Sequence, residues 1–192
     1  MRAFVAALIG VLILGVAPRA ATAQPHALRG VVHDGGRPIR DVVVWLAEAT
    51  PPRPGHPVVL DQRNLEFRPR LLVVPVGTTV EMPNSDRVFH NVFSFHNGTR
   101  FDLGLYPAGT SRSVTFDRPG VSRVFCNIHP TMAAYVVAVP SSRFAVTDVE
   151  GRFAIDDVAP GRLAYTLWRA GGEPRTGAVD VPAGQPVVLE WR

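Results

Sequence analysis

The stretch from Val58 to Val139 is cut by breaks at short intervals: Pro75-Val76-Gly77, Pro83-Asn84-Ser85-Asp86, Asn97-Gly98, Pro107-Ala108-Gly109 and Pro119-Gly120. Proline has no N–H to give to a helix or a central strand, and glycine supplies the positive φ that tight turns need. No long helix fits between such breaks. The pieces they leave are short and rich in β-branched and aromatic residues. They read as eight strands: Val58–Phe67, Leu71–Val74, Thr78–Met82, Asn91–Phe95, Arg100–Leu105, Arg112–Phe116, Val121–Cys126 and Ala133–Val139. Eight short strands with turn-forming breaks predict an antiparallel sandwich or barrel.

The flanks read as β-structure of a second kind. Leu28–His33 leads through Asp34-Gly35-Gly36, a strong turn signal, to the apolar run Asp41–Leu46. Ala49–Pro57 holds four prolines and reads as a linker or crossing. After residue 140, strand-like runs return at Phe144–Asp148, Arg152–Ile155, Leu163–Trp168, Gly177–Val181 and Val187–Trp191, with turns at Glu150-Gly151, Ala159-Pro160-Gly161 and Gly171-Gly172. Together the flanks supply about seven strands, enough for a small sandwich. The expected organisation is therefore a leader at 1–23, one sandwich at 57–139, and a second, discontinuous one built from 24–50 and 140–192, the alternative being that the central sandwich simply follows a small N-terminal hairpin.

The leader has the form of a secretory signal. Arg2 is followed by the apolar run Phe4–Val16, and Ala21-Thr22-Ala23 is a small-residue cleavage site. Cleavage there leaves no membrane anchor and places the mature protein in the periplasm or outside the cell. All 20 basic side chains are arginine, the formal charge is only +4, and no basic run occurs, which argues against nucleic acid as a partner. Export also bears on Cys126, the only cysteine. In an oxidising compartment paired cysteines are normally bridged, and a single one has no intramolecular mate.

Cys126 opens the run Cys126-Asn127-Ile128-His129-Pro130-Thr131-Met132. A thiolate, an imidazole and a thioether fall within seven residues, spaced C-x2-H-x2-M. His90 lies thirty-six positions upstream of Cys126, in a strand-like stretch. Soft sulfur suits Cu(I) and imidazole suits Cu(II), so two His and one Cys with a weak Met form a compromise site for one copper ion. Taken singly, a buried Cys or Met is an ordinary core residue. The metal reading rests on the combination.

With these residues in view, Val58–Val139 resembles a cupredoxin, a type 1 blue copper domain of the amicyanin and plastocyanin type. The Pro130 after His129, the Pro83–Asp86 turn before His90-Asn91-Val92, and Pro119-Gly120 before Phe125-Cys126 carry the likeness. It implies a Greek-key sandwich with His90, Cys126 and His129 as strong ligands and Met132 as the weak axial one. It implies that Asn91 pins the ligand loop by hydrogen bonding. It also implies that redox partners dock near His129 and Pro130. The flanks look like a carboxypeptidase regulatory-like, transthyretin-type sandwich, on Gly30-Val31-Val32, Trp45-Leu46, Thr147–Phe153 and Pro160-Gly161. Chains of this combined organisation are often labelled methylamine-utilisation proteins.

The remaining candidates read as structural. His96 belongs to a turn, and His26, His33 and His56 are expected at the surface. Asp86, Asp102 and Asp117 occupy turns and strand edges. Phe93, Phe95, Phe101, Phe116 and Phe125 are expected to line the core around the metal. The chain has no H-x-H pairs for further copper ions, no H-E-x-x-H and no nucleotide-binding loop, so the expectation is a one-electron carrier and not an enzyme. Two alternatives use the same residues. One is copper binding or delivery without redox work; the other is a structural or partner-binding β-sandwich.

Overall fold

The structure is a computed structural model that describes residues 26–47, 52–95, 97–181 and 185–191. The leader and His96 lie outside the described residues. Among those described, every regular element is a strand, and no helix is long and apolar enough to cross a membrane.

In chain order the strands are β1 (His26–Asp34), β2 (Arg37–Pro38), β3 (Val43–Leu46), β4 (Val58–Val59), β5 (Asp61–Arg63), β6 (Glu66–Arg68), β7 (Leu71–Pro75), β8 (Thr78–Pro83) and β9 (His90–Ser94). They continue as β10 (Phe101–Tyr106), β11 (Ser111–Phe116), β12 (Gly120–Phe125), β13 (Ala133–Val139), β14 (Phe144–Val146), β15 (Arg152–Val158), β16 (Gly161–Trp168), β17 (Arg175–Val181) and β18 (Val187–Glu190).

The central strands make one sandwich. A five-stranded sheet in the order β10-β9-β12-β13-β7 lies over a three-stranded sheet, β11-β8-β4. The chain passes between the sheets at β7 to β8, β8 to β9, β10 to β11 and β11 to β12, and turns back on itself within one sheet at β9–β10 and β12–β13. This is a Greek-key sandwich, and the all-β class expected from the breaks is the class observed. Its core holds Leu60, Phe67, Val80, Met82, Val92, Tyr106, Phe116, Val124, Cys126, Met132 and Val136.

The flanking strands form two further sheets, β14-β3-β16-β17 and β15-β1-β18, with β2 paired to β1. Leu28, Val32, Val44, Leu46, Phe153, Ile155, Leu167 and Leu189 pack between them. Thr147 joins the segments on either side of the central strands: its Oγ1 accepts the Val42 N–H at 2.9 Å and donates to the Ile39 carbonyl at 2.9 Å.

Strands β3, β7 and β13 are apolar on both faces, as β3 and β13 illustrate, and the period of two explains why. In β3, Val44 and Leu46 face the flanking core, while Val43 and Trp45 face outward. In β13, Ala134, Val136 and Ala138 face the central core, while Tyr135, Val137 and Val139 face outward. The outward sets meet. Val43, Val137, Val139 and Trp168 form a buried seam, with Trp168 edge-to-face on Tyr135 at 5.3 Å.

Two expectations are corrected. Val58–Phe67 is three elements, not one strand. After β4, a hairpin of β5 and β6 turns at Asn64 and Leu65, which carry φ of 56° and 59°. The phenylalanines also do not all line the core. Phe116 is buried and Phe101 packs against the core, but Phe93 and Phe125 lie half-buried with rings 5.9 Å apart, and Phe95 is 55% exposed. The alternation of β9 and β12 is the cause: Val92 and Val124 take the inward positions and push their phenylalanine neighbours to the other face.

Candidate metal centre

Cys126 directly follows β12, and His90 begins β9, the neighbour of β12 through the Phe125–Phe93 pair. Neighbouring strand ends thus bring together two residues far apart in sequence. The loop after Cys126 folds back on itself. The Met132 N–H donates to the His129 carbonyl at 2.9 Å, and the Cys126 N–H donates to the Met132 carbonyl at 3.3 Å. These closures turn the His129 ring toward Cys126 and put the Met132 side chain, fully buried, into the same core as the cysteine. The Asn127 N–H donates to Asn91 Oδ1 at 2.9 Å, which ties the loop to the second residue of β9.

Three donor atoms converge. His90 Nδ1 and His129 Nδ1 are 3.0 Å apart, and Cys126 Sγ lies 3.8 Å from the first and 3.7 Å from the second. Among the described residues this is the group of His, Cys, Asp or Glu able to hold a metal ion. A point equidistant from the three atoms sits about 2 Å from each, close to the ~2.0–2.1 Å of a metal–imidazole bond. Two imidazole lone pairs do not face each other bare at this distance; a proton on one or a cation between both is required. The triangle therefore fits a metal ion, and its one sulfur and two nitrogens are the donor set that suits copper. His90 is completely buried and Cys126 nearly so, while His129 is half-buried. The approach from solvent is through His129.

The surrounding network is polar only where it holds the site. Tyr106, the ladder partner of His90, donates its hydroxyl to the Met82 carbonyl at 2.8 Å and accepts from Gln62 Nε2 at 2.6 Å. Burial pushes its phenol up to about 12. Asn84, also buried, donates through Nδ2 to the carbonyls of Val88 and Tyr106, and fixes the turn leading into His90.

Asp86 does more than serve the turn, the only role its sequence position suggests. Its Oδ2 lies 2.8 Å from His90 Nε2, the ring nitrogen opposite the one that faces the cysteine. The carboxylate also accepts the N–H groups of Asn64 at 2.6 Å and Leu65 at 2.9 Å. Burial alone would raise its pKa, but the Leu65 N–H, the His90 ring and the Asn64 N–H outweigh it and hold the carboxyl below the usual range. The signal in the sequence is the four-residue spacing of Asp86 and His90 across a single turn.

The other candidates lie elsewhere. Asp102 accepts the Gly104 N–H, and Asp117 sits exposed beside Arg118. His56 is exposed, but His33 is half-buried, 3.9 Å from Glu190, contrary to the surface position expected of it.

No family model matches this chain, and no curated protein does. Solved structures similar to it include a copper-containing nitrite reductase, NirK, from Thermus scotoductus SA-01, at 25% identity and a TM-score of 0.42. That likeness covers 50% of this chain and 25% of the reductase. A novel purple cupredoxin from Nitrosopumilus maritimus is 26% identical over 44% of this chain and all of that one, with a TM-score of 0.38. An oxidised methionine-to-leucine mutant of amicyanin is 25% identical over 43% of this chain and 81% of that one, with a TM-score of 0.40. Each covers half of the present chain or less, and what the site can do follows from its own geometry.

Proposed function

We propose that this chain binds one type 1 copper ion through His90, Cys126, His129 and Met132, and carries single electrons between partner proteins as an exported, periplasmic protein. The observation that carries the reading is the triangle of one thiol sulfur and two Nδ1 atoms, closed on a common centre and shielded by core side chains. Bound there, copper would supply a one-electron couple between Cu(II) and Cu(I).

The chain's own residues hold that couple to one geometry. Asn91 ties the loop to β9, so that Cys126 and His129 keep their separation from His90. The apolar residues around Cys126, among them Val92, Val124 and Met132, keep water from the thiolate. The rim outside is apolar as well. Ile128 is 49% exposed and Phe89 53%, with Val88 and Pro130 exposed beside them in sequence. They offer a docking face for a redox partner, with the half-buried ring of His129 as the route in. The flanking sheets would form a carboxypeptidase regulatory-like sandwich around residues 57–139, with no catalytic role of its own.

Loading the mature protein with Cu(II) and recording visible absorption and electron paramagnetic resonance tests the reading. An intense thiolate-to-copper charge-transfer band with narrow copper hyperfine splitting is expected. A weak spectrum of nitrogen and oxygen ligation would sink the type 1 assignment. Met132→Leu should keep the colour and raise the reduction potential; a potential identical to wild type would remove Met132 from the ligand set.

A further inference from the structure

The Asn64–Leu65 turn and Asp86 form a unit with no evident purpose in the sandwich alone. Leucine at φ 59° is strained, because a Cβ in the left-handed region crowds the following carbonyl. Asparagine tolerates that region; leucine rarely enters it. Such strain persists where surrounding contacts over-determine it. Here the contact is a single carboxylate. With both central residues at positive φ, the two successive N–H groups of the turn converge on Asp86, one at each oxygen. The Asp86 N–H is held in turn by Asn84 Oδ1 at 3.1 Å, and the Ser85 N–H by the Gln62 carbonyl at 2.9 Å. The carboxylate is thus fixed from both sides, and its Oδ2 is aimed at His90 Nε2.

We propose that Asp86 is the positioning residue of the metal centre: held by the Asn64–Leu65 turn, it keeps the His90 proton on Nε2, presents Nδ1 as the ligand atom, and favours the more highly charged copper ion. This rests on the copper reading above. The chemistry is direct. Both Asp86 oxygens already act as acceptors, one for each N–H of the turn, and the 2.8 Å contact adds the His90 ring as a third donor to the same carboxylate. A neutral imidazole with its proton on Nε2 has its lone pair on Nδ1, the atom that faces Cys126 and His129. A negative charge hydrogen-bonded to a ligand makes that ligand more basic and stabilises Cu(II) more than Cu(I). No other acidic side chain reaches either histidine among the described residues' hydrogen bonds and ion pairs.

The test uses Asp86→Asn, Leu65→Gly and the double variant in the full mature chain. Asn matches Asp in shape, but its NH2 must face one of the three donors. Leu65→Gly lets the turn form without strain and without help from the carboxylate. In the metal-free protein, nitrogen-15 NMR of the histidine rings should show His90 with its proton on Nε2 in wild type and Leu65→Gly. In both Asp86→Asn proteins it should show the Nδ1–H form or a mixture. Cu(II) affinity should fall about 10–100-fold in both Asp86→Asn proteins, with a smaller loss for Cu(I). The ratio of the two affinities should not recover in the double variant. Recovery would mean that Asp86 serves only the hairpin, and an unchanged His90 tautomer would overturn the proposal. The NMR reading needs no metal, so a wild-type protein that fails to bind copper would defeat the copper reading separately.

Discussion

Cys126→Ser should yield a folded protein that has lost the intense visible band altogether when exposed to Cu(II). The thiolate is the only group in the triangle able to give that transition. A serine hydroxyl in its place stays protonated and binds Cu(II) weakly, leaving two imidazoles and a spectrum of nitrogen and oxygen ligation. Because Cys126 is 3% exposed and packed among Val92, Val124 and Met132, the variant also buries a hydroxyl in an apolar place. The cost is about 1–3 kcal/mol if the hydroxyl finds no partner, visible as a lower urea midpoint at an unchanged slope. Far-ultraviolet circular dichroism matching wild type would show that the band is lost through the ligand and not through the fold. A band that survives the substitution would remove Cys126 from the site.

Trp168→Ala should cost about 3–5 kcal/mol, the range for removing a buried large aromatic side chain. Trp168 is 3% exposed at the seam, against Tyr135, Val43, Val137 and Val139. The loss falls between two cores that are each complete without it. The expected result is a change from one unfolding transition to two, with the flanking sheets melting first. Circular dichroism would report both steps, and the visible band of the copper-loaded protein only the second. A single transition in which colour and secondary structure vanish together would show that the seam does not couple separable units.

The strand pattern was legible because its punctuation was strong. Proline and glycine between β7 and β13 mark breaks whatever the tertiary surroundings. The Asn64–Leu65 turn was not legible, since leucine is no turn signal and only the Asp86 carboxylate makes its conformation tolerable. The phenylalanines were misplaced for a related reason. Hydrophobicity says that a side chain will be covered somewhere, not which face of a strand it occupies, and the inward positions of β9 and β12 belong to Val92 and Val124. At the site, spacing within one loop pointed to Cys126, His129 and Met132, and a distant strand end to His90. For Asp86 the four-residue spacing to His90 is a weak signal by itself, because what fixes the carboxylate is a hairpin 22 and 21 positions earlier at Asn64 and Leu65. The seam was equally hidden, although the two apolar faces of β3 and β13 were visible as unbroken hydrophobic runs.

The Val42 and Thr147 pairing also bears on the order in which the chain assembles. The two residues are 105 positions apart, and closing a flexible loop of that size costs roughly 4 kcal/mol in chain entropy, before any constant term. The central sandwich lies wholly within that loop, and its own strand pairings span shorter separations, the longest being the 64 positions from Leu71 to Tyr135. Once it has folded, its two ends are already close, and the flanking strands meet across a gap of a few residues. The central sandwich therefore serves as the splint on which β1 and β3 find β15 and β16. A damaged ligand loop leaves that splint intact, whereas a damaged central core removes both halves of the protein at once.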